Sequence, residues 1–320
     1  MKVDKFIPPH PLNTAILFLV FNRLDTTKKI FEAIRQAKPP RLYVAADGAR
    51  ANLEGEVEKV QAVRNYVMQN IDWDCEVKTL FRDENLGSKY APSSGITWFF
   101  ENEEQGIILE DDCLPNQSFF WFCEELLDQY KNDLRVWHIS GDNFQNGIER
   151  SDKSYYFSKF AHGWGWASWA DRWRHCDVEM NSFSQFKKEG LITSIFSEIK
   201  DQRYWLNIFD LVFRKDWNTC WDYQWTYTIL LNNGLSIVPN KNLVSNIGFG
   251  SHGTHTNDTN HPYANISSKE IIIPLVHPKF VIFNSSADSY ETSVMYTKEN
   301  LISRIFNKIV RMTTGKNIKK

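Results

Sequence analysis

The stretch Gln105 to Pro115, Q-G-I-I-L-E-D-D-C-L-P, constrains the fold more than any other part of the chain. Ile107, Ile108 and Leu109 have the length and β-branched character of a buried strand, and the run ends at once in Glu110, Asp111 and Asp112. Three carboxylates at one strand end raise one another's pKa unless a cation or donor groups offset the charge, and a divalent metal is an economical counterion. Ligands of open α/β sheets gather at the carboxyl ends of the strands, where this turn falls. The expectation is a metal–diphosphate site. An acidic triplet by itself more often caps the following helix through its dipole, so the position after a buried strand is what favours a function.

The flanking segments predict an α/β fold with a mostly parallel central sheet and helices on both faces. Ala15 to Phe21 reads as a buried strand, and Leu24, Thr27, Ile30, Phe31 and Ile34 share one face of a helix after it. Arg41 to Ala46 gives a second strand closed by Asp47-Gly48, and a polar helix over about Glu54 to Gln69 leads to a third strand, Cys75 to Phe81. Asn85-Leu86-Gly87-Ser88 turns into a helix reaching about Asn102, in which Pro92 is tolerable only near the start. After Pro115-Asn116, the residues Phe119, Phe122, Cys123, Leu126, Leu127 and Tyr130 recur at helical spacing. Val136 to Ser140, Tyr155 to Ser158 and Leu235 to Pro239 read as further strands, with helices over about Asp201 to Lys215 and Trp221 to Asn232. Gly163 to Trp173 carries four Trp, and Asn246 to Asn260 has the composition of a loop.

The expected organisation is a catalytic domain over 1–260, with a nucleotide half at about 14–150 and an acceptor half at about 151–260. Residues 261–320 form a C-terminal extension. Its last twenty residues carry Arg304, Lys308, Arg311, Lys316, Lys319 and Lys320 without an acid, beside an apolar stripe of Leu301, Ile302, Ile305, Phe306, Ile309 and Val310. Such a helix either docks on its own domain or contacts an anionic membrane peripherally. With 37 Lys+Arg against 39 Asp+Glu the chain has no global field that favours nucleic acid. Five cysteines without a Cys-x-x-Cys pair fit a reduced, cytoplasmic chain, and Met1 to Asn13 is no signal peptide.

Several residues are candidates for chemistry. Glu110 and Asp112, flanking Asp111 in an extended turn, project to one side, one to hold a sugar or ribose hydroxyl and the other Mn²⁺ or Mg²⁺. Asp47 closes the second strand where it could accept from a base N–H with support from Arg23, although Asp-Gly is also a common turn. Asn85, Gly87, Ser88 and Lys89 could contact a donor, Lys89 through a phosphate. Asp222, in Trp221-Asp222, is a helix cap or a general base that takes the acceptor hydroxyl's proton in a glycosyl transfer. The loop Gly250 to Thr256, G-S-H-G-T-H-T, brings Ser251, His252 and His255 to close over phosphates and add a nitrogen ligand to the metal.

In order, L-V-F-N-R at 19–23, A-A-D-G at 45–48, N-L-G at 85–87, I-L-E-D-D-C-L-P-N-Q-S-F-F at 108–120, G-W-G-W-A-S-W at 163–169, W-D-Y-Q-W at 221–225 and L-S-I-V-P-N-K-N-L-V-S-N-I-G-F-G at 235–250 resemble a GT-A glycosyltransferase. The resemblance covers roughly residues 15–260. It is strongest to bacterial nucleotide-diphospho-sugar transferase-like proteins of cell-surface polysaccharide synthesis, and more distant to the N-acetylglucosaminyltransferase of complex N-glycans. It implies Arg23 and Asp47 at the nucleobase, Glu110 and Asp111 at the ribose and donor sugar, Asp112 at Mn²⁺, and Asp222 as base of an inverting transfer. The implied partners are a UDP-sugar donor and a glycan or glycolipid acceptor. The bacterial group matches Thr254, His255 and Thr256, the eukaryotic enzyme Ser251, His252 and Gly253, so either histidine approaches the phosphates.

Trp164, Trp166, Trp169 and Trp221 are expected as walls for the sugars. The rival readings are a sugar-nucleotidyltransferase, which needs a Gly-rich loop that Phe21-Asn22-Arg23-Leu24 lacks, and a non-catalytic sugar-nucleotide-binding module.

Overall fold

The computed structural model describes residues 6–214, 220–249 and 266–294. Its first half alternates strand and helix: β1 (Ile16–Val20), α1 (Leu24–Ala37), β2 (Arg41–Ala46), α2 (Glu56–Gln69), β3 (Glu76–Phe81), α3 (Gly87–Phe100) and β4 (Gln105–Glu110). A short β5 (Cys113–Pro115), α4 (Ser118–Tyr130), β6 (Val136–Ser140), β7 (Tyr155–Ser158) and β8 (Trp166–Trp169) follow. The later elements are α5 (Ala170–Trp173), α6 (Phe183–Lys188), α7 (Ile192–Ile195), α8 (Ile199–Phe213), α9 (Asp222–Leu231), β9 (Leu235–Pro239) and β10 (Val244–Asn246). A further helical segment runs over 285–294.

Eight strands form one sheet in the order β3-β2-β1-β4-β8-β6-β9-β7. β1 to β4 pair in parallel, β8 is antiparallel to both β4 and β6, β9 runs parallel to β6, and β7 closes the edge antiparallel to β9. The chain is thus α/β, with a mostly parallel central sheet between helices.

The pleat assigns the two cores. Ile16, Phe18 and Val20 of β1 face α1, α2 and α4, while Ala15, Leu17 and Leu19 face α3, α5 and α9. β4 continues the division, with Ile107 and Leu109 on the first side and Ile108 on the second. A strand apolar on both faces is what the unbroken run of β1 encodes. All six residues predicted for the inner stripe of α4 are buried, joined by Phe120 and Trp121. Fully burying each such large side chain is worth about 1.5–3 kcal/mol, which anchors α4 and the turn before it. A third cluster gathers Phe183 and Phe186 of α6, Trp205 and Phe209 of α8, and Tyr227 of α9.

The structure differs from the expectations at the tryptophans and at Pro92. Trp166 to Trp169 is a strand in the middle of the sheet, so Trp166 (0% exposed) and Trp169 (3%) are core and wall nothing; Trp221 is buried too, and Trp164 alone of the four is half-buried. Pro92 lies in the second turn of α3, where Ser93 and Ser94 hydroxyls return hydrogen bonds to the carbonyls of Lys89 and Tyr90. The short strands β5 and β10, absent from the sequence reading, pair antiparallel and bring Asn246 opposite Cys113. The 266–283 stretch lies along the body: Ile271 and Leu275 belong to the first core, with backbone N–H groups bonded to Ser118 and Glu125. The expected basic helix at 301–320 lies outside the described residues.

Candidate active site

The register sets three strand ends side by side. Val20 pairs with Ala46 and Leu19 with Glu110, so Asn22-Arg23, Asp47 and the acids leave the same edge of β1, β2 and β4. This is the carboxyl edge, where α/β sheets take ligands.

Residues 111 and 112 form a turn, not an extended pair. As a result Glu110 and Asp112 do not project together: Arg23 instead donates to both Asp111 Oδ1 and Asp112 Oδ2, the latter at 2.8 Å. Burial, which would lower the pKa of the Arg23 guanidinium, is outweighed by Asp111 and Asp112, so it rises. Burial pushes the Asp111 carboxyl up to about 6 despite Arg23 beside it. The other oxygen of Asp111 is buried without a hydrogen-bond partner.

Glu110 continues the pleat to the second face, where its Oε1 accepts from the indole N–H of Trp221 at 3.2 Å. Burial first, then the Asp112 and Asp111 charges, push Glu110 up to about 8. The pairing of β10 with β5 carries Asn246 and Gly248 to Asp112: Asn246 Nδ2 is 3.4 Å from Oδ1, Ile247 N donates to the Asp112 carbonyl at 2.8 Å, and a Cβ on Gly248 would overlap the Asp112 carboxylate. Asn246, Gly248 and Trp221 as partners of the acids were missed in the sequence. The run N-I-G-F-G was the available signal, since a glycine against a functional group allows close backbone approach.

Asp47 holds the chain. Its oxygens accept from the backbone N–H of Gly48, Leu86 and Gly87 and from Asn85 Nδ2, all at 2.8–3.0 Å. Four donors fill a carboxylate's lone-pair sites, so Asp47 ties the N-L-G turn to β2. Lys89, near the start of α3, is 5% exposed and pairs with Glu179 at 3.1 Å rather than standing solvated. Two further arginines shape this edge. Arg50 and Asn22 both bond Glu56, holding its pKa down to about 2 chiefly through Arg50, and Arg64 donates to the carbonyls of Asp47 and Arg82.

Asp222 opens α9 beside Trp221, and a Cβ placed on Gly163 would lie 3.9 Å from its Cβ. The pair Trp221-Asp222 therefore reaches the acids through the indole and the Gly163-Trp164 segment through the carboxylate's own residue. Trp164 packs edge-on against Phe144 at 4.9 Å and against Phe249 at 5.6 Å. Ser251, His252 and His255 lie outside the described residues. Among the described residues no group of three or more His, Cys, Asp or Glu gathers as a metal cage. No helix of the described residues is long and apolar enough to cross a membrane.

No protein-family model and no curated protein matches this chain. Similar solved structures include the galactosyltransferase LgtC in complex with donor and acceptor sugar analogs, at 14% identity and TM-score 0.32, covering 54% of this chain and 64% of that one. The glycosyltransferase GlyE of Streptococcus pneumoniae TIGR4 is similar at 14% identity and TM-score 0.32, over 63% of this chain and 44% of that one. UDP-glucose pyrophosphorylase complexed with UDP-glucose is similar at 10% identity and TM-score 0.30, over 51% and 79%. The chain thus spans just under two thirds of LgtC. Likeness of this extent carries no functional argument, which rests on the residues themselves.

Proposed function

We propose that the chain is a metal-dependent, inverting glycosyltransferase that moves a sugar from a UDP-sugar to a hydroxyl of a glycan or glycolipid. The observation that carries the reading is the linkage of two acidic centres: Trp221 joins Glu110 by hydrogen bond while its neighbour Asp222 opens α9 next to Gly163. One centre is suited to the leaving diphosphate and the other to the incoming hydroxyl.

The residues fit a hard divalent ion of the Mn²⁺ or Mg²⁺ type. Such ions take one or two protein carboxylates and complete their shell with phosphate oxygens and water, so a full protein cage is not required. Asp112 supplies the carboxylate, and the partnerless buried oxygen of Asp111 marks unmet electrostatic demand on the same turn. Bound there, the ion would offset charge developing on the departing diphosphate. His255 is the proposed nitrogen ligand, with Ser251 and His252 at the phosphates.

The chain's own groups supply the rest. Arg23 holds Asp111 and Asp112 on one side of the turn. Glu110, fixed by the Trp221 indole, is placed to hold a sugar hydroxyl. Asp47 sets the N-L-G turn that borders the nucleotide side. Asp222 accepts the proton of the acceptor hydroxyl as it attacks, a role worth about 10²–10⁴-fold in rate.

The test is a panel of nucleotide sugars followed by thermal shift with and without Mn²⁺, then turnover of whichever donor binds. A UDP-sugar should stabilise the protein only with the metal, and Asp222→Asn should abolish transfer while leaving that stabilisation intact. Full turnover by Asp222→Asn would remove the base assignment. Pyrophosphate release from a nucleoside triphosphate and a sugar phosphate would mark a nucleotidyltransferase instead, and metal-dependent binding without turnover a binding module.

A further inference from the structure

Behind the Gly163-Trp164 segment lies a buried cluster that the proposed chemistry does not use. Asp142 follows β6 and is 0% exposed; His162 precedes Gly163, Glu291 sits in the helical segment 285–294, and both are buried. His162 Nε2 bonds Glu291 Oε1 at 2.8 Å, and its Nδ1 faces Asp142 Oδ1 at 3.3 Å. Gln145 reaches the same helix: its Nε2 donates to the Ala287 carbonyl at 3.2 Å, while Arg150 donates to its Oε1 at 2.6 Å.

A buried imidazole between two carboxylates is costly to assemble, and apolar residues of similar volume would pack there at least as stably. The Asp142 oxygens lack hydrogen bonds of good geometry, as do Tyr156 Oη and Arg150 Nη2. Leaving buried polar atoms in that state needs a return elsewhere. The return is visible in what His162 holds. Its carbonyl accepts from His138 Nε2 at 2.9 Å, and His138 Nδ1 accepts from Trp225 Nε1 of α9 at 3.2 Å. Its N–H reaches Ser140 Oγ at 3.4 Å. Its ring packs 4.7 Å from Phe144, which packs on Trp164. The next residue is Gly163, against Asp222 and Trp221.

We propose that His162, clamped between Asp142 and Glu291, is a positioning residue that sets the Gly163-Trp164 segment against Asp222 and makes that segment depend on the 285–294 helix. The C-terminal segment is thereby a structural part of the acceptor side. The Asp222 role rests on the glycosyltransferase reading; the clamp itself does not. Burial alone would lower the His162 pKa, but Glu291 and Asp142 outweigh it and hold the imidazole well above its ordinary value, in keeping with a charged centre.

The test compares the full chain with Glu291→Ala and Glu291→Gln by amide hydrogen exchange, and measures UDP binding in the presence of Mn²⁺. Glu291→Ala should speed exchange across residues 160–166 at least tenfold while β1 and β2 stay protected. Glu291→Gln, which keeps an acceptor for Nε2–H, should restore most of the protection. If Glu291→Ala does not fold, Glu291→Leu, which fills the same volume but offers His162 no acceptor, is read in the same way. Unchanged exchange at 160–166 in a folded variant overturns the proposal, as does an equal rise throughout the chain. UDP affinity should stay within twofold of wild type, because Arg23, Asp111 and Asp112 do not touch the clamp. A wild-type chain that binds no UDP would count against the glycosyltransferase reading and leave the exchange result standing.

Discussion

Arg23 is the residue on which the acidic turn depends. Its guanidinium joins Asp111 and Asp112, and removing one partner of a buried ion pair strands the other charge. Arg23→Ala should therefore cost about 3–5 kcal/mol in urea denaturation; a cost below about 1 kcal/mol would mean that the carboxylates find other partners. His138 offers a pH test. Burial lowers its pKa to about 3 from an ordinary 6.5, with its ring nitrogens committed to His162 and Trp225. The folded state excludes a proton that the unfolded state accepts. The stability is thus full above pH 6.5 and falls as the pH drops from there toward 3, by up to about 1.4 kcal/mol per pH unit. Comparing wild type with His138→Gln between pH 7.5 and 5 isolates this contribution: the wild type should lose stability more steeply. Equal slopes would show that His138 is protonated in the fold. At this scale the sequence was legible as residue types but not as partners. Arg23, Asp47 and the three acids stand at strand ends as read, yet the turn at 111–112 aims Asp111 and Asp112 at Arg23, and backbone N–H groups claim Asp47. Side-chain aim at a turn follows backbone angles that residue identity leaves open.

Among elements, the pair β5 and β10 sets the surroundings of the Asp112 carboxylate. Gly248 fits against the Asp112 carboxylate only because it lacks a Cβ. Gly248→Ala should push that carboxylate aside and weaken Mn²⁺-dependent nucleotide binding at least tenfold, about 1.4 kcal/mol, by isothermal calorimetry. The variant should remain folded, since the residue is only half-buried; unaltered affinity would separate Gly248 from the site. β2, β6, β7 and β9 fall where their apolar runs place them, because each run is bounded by turn residues. β5 and β10 were invisible in the sequence because each has three residues and exists through the other. β8 escapes the sequence for a different reason. Its Trp-rich run shows no alternation, as a strand covered on both faces need not, and exposed and buried tryptophans look alike in sequence.

For the whole molecule, two cores separated by the sheet hold the carboxyl edge fixed, and the chain from 266 to 294 binds across that body. The cluster of Asp142, His162 and Glu291 joins the last described helix to the residue before Gly163. In the proposed reading Asp112 carries a divalent ion that grips a nucleotide diphosphate. Its most direct measurement is calorimetric titration of UDP into wild type and Asp112→Asn, each with Mn²⁺ and with chelator. Wild type should bind at least a hundredfold more tightly with the metal, and Asp112→Asn should bind weakly and equally in both conditions. Tight binding that ignores the metal, or a metal effect that survives Asp112→Asn, would contradict the claim.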